Sequence, residues 1–146
     1  MISYFPEIYE DELVYSWFAR YFAHSGYPCY VNALEDLFIK RNCSADIEFI
    51  GPINQEAKSI MESICTMDKL IFEHTMFPQY ARFLDLDRQK IAIESLIVGG
   101  GDPHNLLSVP TSSSTRVIRY CPLCAQEDRE KYGETYFHRS HLIRGI

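Results

Sequence analysis

The chain has 146 residues, 47% of them hydrophobic, and a formal net charge of −6, enough for one ordinary domain or for a helical core with a small appended module. Its longest apolar run, IAIESLIVGGG, is broken by Glu94 and Ser95 and falls short of the roughly 18–20 residues of a membrane span. The acidic balance excludes a nucleic-acid binder that uses its whole surface. Five cysteines, behind an N-terminus (MISYFPEIYEDEL) with no basic residue ahead of its acidic ones, point to a reducing compartment, the cytoplasm, and to no secretory or transit leader.

The first helix is predicted over Asp11 to His24. Leu13, Val14, Trp17, Phe18 and Tyr21 fall on one side, and Glu12, Ser16 and Arg20 repeat every four residues on the other. Gly26 and Pro28 stop it. A second, Val31–Lys40, is expected to bury Val31, Leu34, Leu37 and Phe38. The turn-rich stretch RNCSADIEFIGPIN follows, with Gly51-Pro52 as its breaker. A third helix starts near Asn54 and carries Ala57, Ile60, Met61 and Ile64 as a stripe, and a short one runs through MDKLIFEHT. Pro78 interrupts, and LDRQKIAIESLIVGG gives a last helix ending at three glycines. These stripes read as the core of a mainly α helical bundle, residues 1–101, and Cys29, Cys43 and Cys65 as buried small apolar residues. Helices 11–24 and 31–40 have the length of a helix-turn-helix, but the connector SGYPCY is longer than its usual three or four residues.

Past the glycines the character changes. GGGDPHN is a hinge-like loop. It lacks the Gly-Lys-Ser/Thr of a phosphate loop, and Pro103 spoils the helix start that such loops need. LLSVP is a short extended piece, TSSST a polar connector, RVIRY a strand entering the CPLC turn, AQEDREKY a helical segment, and TYFHRSHLI strand or irregular. Residues 102–146 so form a second, small module. His24, His74 and His104 lie near acidic residues, but no nucleophile shares a recognisable motif with them.

The segment RYCPLCAQEDREKYGETYFHRSH, residues 119–141, carries the main chemical signal. Zn²⁺ favours four nitrogen or sulfur donors in a tetrahedron. Cys121 and Cys124 can place two sulfurs on one ion, and His138 and His141 can offer two nitrogens from one side of a turn. Residues 111–146 have too few aliphatics for an independent core. A structural zinc contributes about 10–16 kcal/mol in small peptides, comparable with the whole stability of a domain at about 5–15 kcal/mol. A metal can therefore order the tail and let it dock on the helical body, as a zinc-ribbon or zinc-finger-like module. Two rivals share the pattern. The thioredoxin C-x-x-C needs later strands that the chain does not supply. The DNA-reading finger needs a wider histidine spacing and a less acidic helix start than Ala-Gln-Glu-Asp.

Charge is uneven along the chain. Residues 1–110 carry eight basic and sixteen acidic side chains, a balance of −8, and residues 111–146 carry six and four, a balance of +2. Arg116, Arg119, Arg129, Lys131, Arg139 and Arg144 are therefore the candidate phosphate contacts.

Three blocks taken in order, ISYFPEIYEDELVYSWFARYFAHSG, LIFEHTMFPQY and RYCPLCAQEDREKYGETYFHRSH, resemble the TniQ/TnsD family of transposon target-selection proteins. The last, with its YCP-x-C and its YGE-x-aromatic run, is the most specific. The resemblance implies an adaptor and not an enzyme. Such a protein binds target DNA, or rides on an RNA-guided CRISPR effector complex, and recruits an AAA+ regulator of the TnsC type. By the same resemblance Cys121 and Cys124 match the first ligand pair of the family's zinc motif. In many relatives the second pair is a C-x-x-H lying beyond the point that corresponds to Ile146. Two arrangements stay open: His138 and His141 complete the site, or the module is truncated here and later residues do. Two other functions remain, a protein–protein module that never touches DNA, and a thiol–disulfide oxidoreductase using Cys121 and Cys124.

Overall fold

The computed structural model describes residues 2, 4–39, 45–98, 103–107 and 118–143, and secondary structure there is helical: α1 Val14–Ser25, α2 Tyr30–Leu37, α3 Gln55–Ile64, α4 Met67–His74, α5 Phe77–Ala81, α6 Leu86–Val98, α7 Pro103–Leu106, α8 Pro122–Tyr132 and α9 Arg139–Ile143. Pairing between extended segments, among these residues, is limited to two isolated antiparallel bridges, Glu12 with His138 and Phe38 with Ile53. No helix of the described residues is long and apolar enough to cross a membrane.

The core forms where the apolar stripes meet. Trp17, Phe18 and Tyr21 of α1 are buried with Leu37 and Phe38 at the end of α2, Ala57 and Met61 of α3, Leu70 and Ile71 of α4 and Phe77 of α5. The N-terminal segment closes it: Phe5 stacks on Tyr21 and meets Trp17 edge-on, both at 4.7 Å, and Trp17 Nε1 donates to the Pro6 carbonyl at 2.7 Å. Offset and edge-to-face packing of this kind is favoured by ring quadrupoles. α4 packs against α5 and α6, α3 against α2, and α7 against α6.

Local signals account for most boundaries. Gly26, in the left-handed region at φ 72°, ends α1. Asn54 and Thr66 cap α3 and α4, their side chains accepting from Ala57 N and Lys69 N. Pro78 does not interrupt a helix; it occupies the first turn of α5, where its missing N–H costs nothing. The CPLC segment is likewise no free turn but the start of α8, with Pro122 at its first position.

Several expectations change. Val31 is exposed, because Ala33 and Leu37, four apart, set the inward face of α2 and Val31 lies two residues off it. Cys29 is exposed at the start of α2, its thiol donating to Asn32 Oδ1 at 3.3 Å, whereas Cys65 is buried as expected. Cys43, the glycine hinge and the TSSST connector lie outside the described residues. Of the expected strand RVIRY, residues 118–120 are described and pair with nothing strand-like. The helix over AQEDREKY is real, and TYFHRSHLI divides into an extended run and α9. Residues 118–143 are thus helix, extended run and short helix, without the hairpin of a zinc ribbon. The α1–α2 connector is Gly26 to Cys29, a helix-turn-helix length, but α2 (YVNALEDL) carries no basic side chain to meet a phosphate.

Candidate functional site in the docked C-terminal segment

The polar stripe at the start of α1 is where the N-terminal part of the chain meets residues 134–139. A solvated stripe would leave Glu12, Ser16 and Arg20 exposed, but they retain 0%, 2% and 8% of their surface. Residues 134–139 cover them. Leu13 N donates to the Phe137 carbonyl at 3.0 Å, Phe137 N donates to Ser16 Oγ at 3.0 Å, and Arg139 N donates to the Asp11 carbonyl at 2.7 Å. Asp11 holds a left-handed backbone at φ 57°, which aspartate tolerates better than most residues, and its carboxylate accepts from Ser140 N at 3.1 Å.

Charged groups pair across the same seam. Arg20 bridges two carboxylates: Nη1 donates to Glu12 Oε2 at 2.8 Å and Nε to Glu134 Oε1 at 2.9 Å. Glu12 also accepts from Tyr9 N at 2.9 Å and Ser16 Oγ at 3.1 Å. Burial still dominates there and pushes the Glu12 carboxyl above its ordinary value, against the pull of Tyr9, Arg20 and Ser16. Glu134 has the opposite balance. Burial would raise it, but His24, Tyr9 and Arg20 together hold it below the ordinary carboxylate range. The Tyr9 ring lies between the Arg20 guanidinium, 3.8 Å from its centroid, and the Tyr132 ring at 4.4 Å.

This arrangement gives the Tyr132-Gly133-Glu134-Thr135-Tyr136 run a physical meaning. Tyr132 stacks on Tyr9, and Gly133 at φ 80° terminates α8. Glu134 enters the charge network, and Tyr136 is buried with its hydroxyl donating to the Glu10 carbonyl at 3.0 Å. Tyr9, Glu134 and the docking role of Arg20 were not read from sequence. The signal for Arg20 was the four-residue polar repeat, which a solvated face explains equally well until the covering segment is known; Tyr9 and Glu134 left none.

The expected metal ligands fall into two groups. Cys121 and Cys124 lie side by side at the start of α8. The Cys121 sulfur faces the backbone N–H groups of Cys124 and Leu123 and the Cys124 thiol, which lower its pKa, though it closes no regular capping hydrogen bond. The pKa of Cys124 is raised, because its S–H donates a hydrogen bond to the Cys121 sulfur. Two adjacent cysteine sulfurs of this type, once deprotonated, suit zinc. His138 is engaged elsewhere: Nε2 lies 2.8 Å from Asp128 Oδ2, Nδ1 lies 3.9 Å from Asp11 Oδ2, and its ring stacks on Tyr136 at 4.3 Å. The His141 ring is 4.9 Å from His138, centroid to centroid. Among the described residues, the group whose ligand atoms lie within 4.8 Å of one another is Asp46, Glu48 and His104, so the two cysteines and two histidines are not gathered around one point. The two sulfurs lie together at one helix start, whereas His138 is turned to Asp128 and Asp11.

The candidate phosphate contacts also divide. Arg116 and Arg144 lie outside the described residues. Arg139 is committed to the body, with Nη1 donating to the Phe72 carbonyl at 2.6 Å and Nε 3.5 Å from Asp11 Oδ1. Arg119, Arg129 and Lys131 are exposed, Lys131 lying over the Tyr132 ring at 5.0 Å.

The family model described as TniQ matches residues 3–146. The chain is also similar to the transposon Tn7 transposition protein TnsD of Escherichia coli, at 30% identity over 97% of this chain and 29% of the relative's length.

Proposed function

This chain belongs to the TniQ family, and on that premise we propose that it is a target-selection adaptor for transposition: it engages target DNA or an RNA-guided complex and recruits an AAA+ regulator of the TnsC type. The observation that carries this reading is the match across residues 3–146. Both blocks that make the docking seam, residues 9–24 and 132–139, fall inside it. The reading is not one of an enzyme.

Under this proposal a zinc ion is held by Cys121 and Cys124 and fixes the start of α8, and its remaining ligands come from outside the pair. The docked segment then presents Arg119, Arg129 and Lys131 outward. Three phosphate contacts are a modest electrostatic anchor, since log affinity falls by about 0.9 per contacted phosphate for each tenfold rise in salt. Titrating target duplex at two salt concentrations tests the DNA arm. The expected result is binding that weakens with salt and is lost in the triple variant R119A/R129A/K131A. Binding indifferent to both salt and substitution would remove it.

A second reading, a protein–protein module without DNA contact, is favoured by the apolar side chains along α6. Phe83, just ahead of that helix, is 82% exposed, and Leu86 and Val98, at its two ends, are 73% and 80% exposed. Capture of the AAA+ regulator after nuclease treatment, with a flat DNA titration, selects this reading over the first. The oxidoreductase reading draws on the lowered Cys121 thiol, but a metal ligand needs the same lowering. Thiols that resist alkylation until a chelator is added support the zinc; reactive thiols in a metal-free chain support the redox pair.

A further inference from the structure

Away from the docked tail, three side chains of metal-ligating type converge between α7 and the loop that precedes α3. Asp46, Glu48 and His104 each offer one donor atom, and the three atoms lie within 4.8 Å of one another. All three residues are half-buried, so this is not a patch of solvated surface acids. We propose that this cluster is a binding site for a divalent transition-metal ion of the Zn²⁺/Mn²⁺ class, separate from the cysteine pair, which fastens α7 to the 46–49 loop.

Each donor is held from behind by a different group, as metal ligands commonly are. Asp46 uses Oδ1 to accept from the backbone N–H groups of Glu48 at 2.8 Å and Phe49 at 3.3 Å. That fixes the carboxylate and leaves Oδ2 aimed at His104 Nε2, 2.6 Å away. Glu48 Oε1 accepts from the Tyr80 hydroxyl at 2.9 Å. The His104 ring stands edge-on to Phe49, with centroids 5.2 Å apart at 90°, and its Nε2 faces Asp46. The ligands come from positions 58 residues apart in the chain, so an ion here would close a long loop as well as neutralise two carboxylates.

The donor set indicates the class of ion. One imidazole nitrogen with two carboxylates is too nitrogenous for Ca²⁺ or Mg²⁺, which favour all-oxygen shells, and lacks the thiolates of the tail site. It suits Zn²⁺ or Mn²⁺, with water completing the shell. The inference stands on these residues alone and does not depend on the transposition reading.

Mn²⁺ is the decisive probe because it avoids thiolates. In the unaltered chain, substoichiometric Mn²⁺ should broaden the NMR signals of Asp46, Glu48, Phe49, Tyr80 and His104 first. His104→Ala should abolish that pattern. Tyr80→Phe, which removes a positioning group and no ligand, should weaken the ion's affinity by roughly tenfold. A C121S/C124S chain should still take up one Zn²⁺, and this uptake separates the site from the tail. Even broadening over exposed carboxylates such as Asp85 and Asp87, or a pattern unchanged by His104→Ala, would overturn the proposal and leave a hydrogen-bonded Asp46–His104 pair.

Discussion

Glu12 has no exposed surface, yet its side chain is a carboxylate paired with Arg20. Removing one member of a buried ion pair strands the other, so Arg20→Met should destabilise the chain by about 3–5 kcal/mol. Glu12→Gln should cost less, because burial already favours the uncharged form and Gln can still accept from Ser16. Urea midpoints of the two variants test the ranking, and equal losses would contradict it. His74 gives a prediction of the opposite kind. It is buried with Nδ1 2.7 Å from the Glu12 carbonyl, and burial lowers its pKa beneath the ordinary value. The unfolded chain therefore takes up a proton first as pH falls through about 6.5, and His74's share of stability declines from there until its folded pKa is passed. Between pH 7.5 and 5.5 the wild-type unfolding midpoint should fall more steeply than that of His74→Asn, which keeps a donor but cannot titrate. Parallel pH profiles would rule out this role.

Helix boundaries respond to single substitutions for reasons local to each. Gly26→Ala forces a side chain into the left-handed region at φ 72° and should cost about 1–2 kcal/mol. Asn54→Ala removes the cap of α3 and should cost about 1 kcal/mol. Gly51→Ala would set a Cβ 2.8 Å from Phe38 Cε1; that ring is buried, so overpacking should cost about 1–3 kcal/mol. Thermal unfolding of the three variants measures these, and Gly51→Ala behaving as a neutral surface change would contradict the close approach. The same elements mark what sequence can disclose. Stripes at helical spacing located α1, α3, α4 and α6, because periodicity and caps are local properties. Val31 departs from the expected face of α2, since the few apolar residues of a two-turn helix fit two orientations and only the neighbour decides. The polar stripe of α1 was legible as a pattern but not as a seam, because the segment that covers it lies more than a hundred residues away. The Asp46–Glu48–His104 cluster is assembled by tertiary structure and leaves no spacing to read.

At the scale of the whole molecule, the chain folds back so that residues 132–139 close over residues 9–24, and this seam is mostly hydrogen bonds and paired charge. Such a seam holds only if its extended run and helix ends are well placed, and a metal at Cys121 and Cys124 would place the start of α8. Chelation should therefore expose the Tyr9–Tyr132 stack and free the Arg139 contact with Phe72, read as new hydrogen exchange in residues 118–143 while α3 and α4 stay protected. Uniform loss of protection would mean that the ion supports the entire fold, and no change would mean that it supports none of it. The targeting role is tested most directly by asking whether this chain carries an AAA+ transposition regulator to DNA. Immobilised target duplex, incubated with the regulator with and without the chain, gives the answer in one measurement. The adaptor account predicts that the chain raises retention of the regulator and that R119A/R129A/K131A abolishes the gain. Equal retention with and without the chain, together with no association between chain and regulator free of DNA, would contradict it.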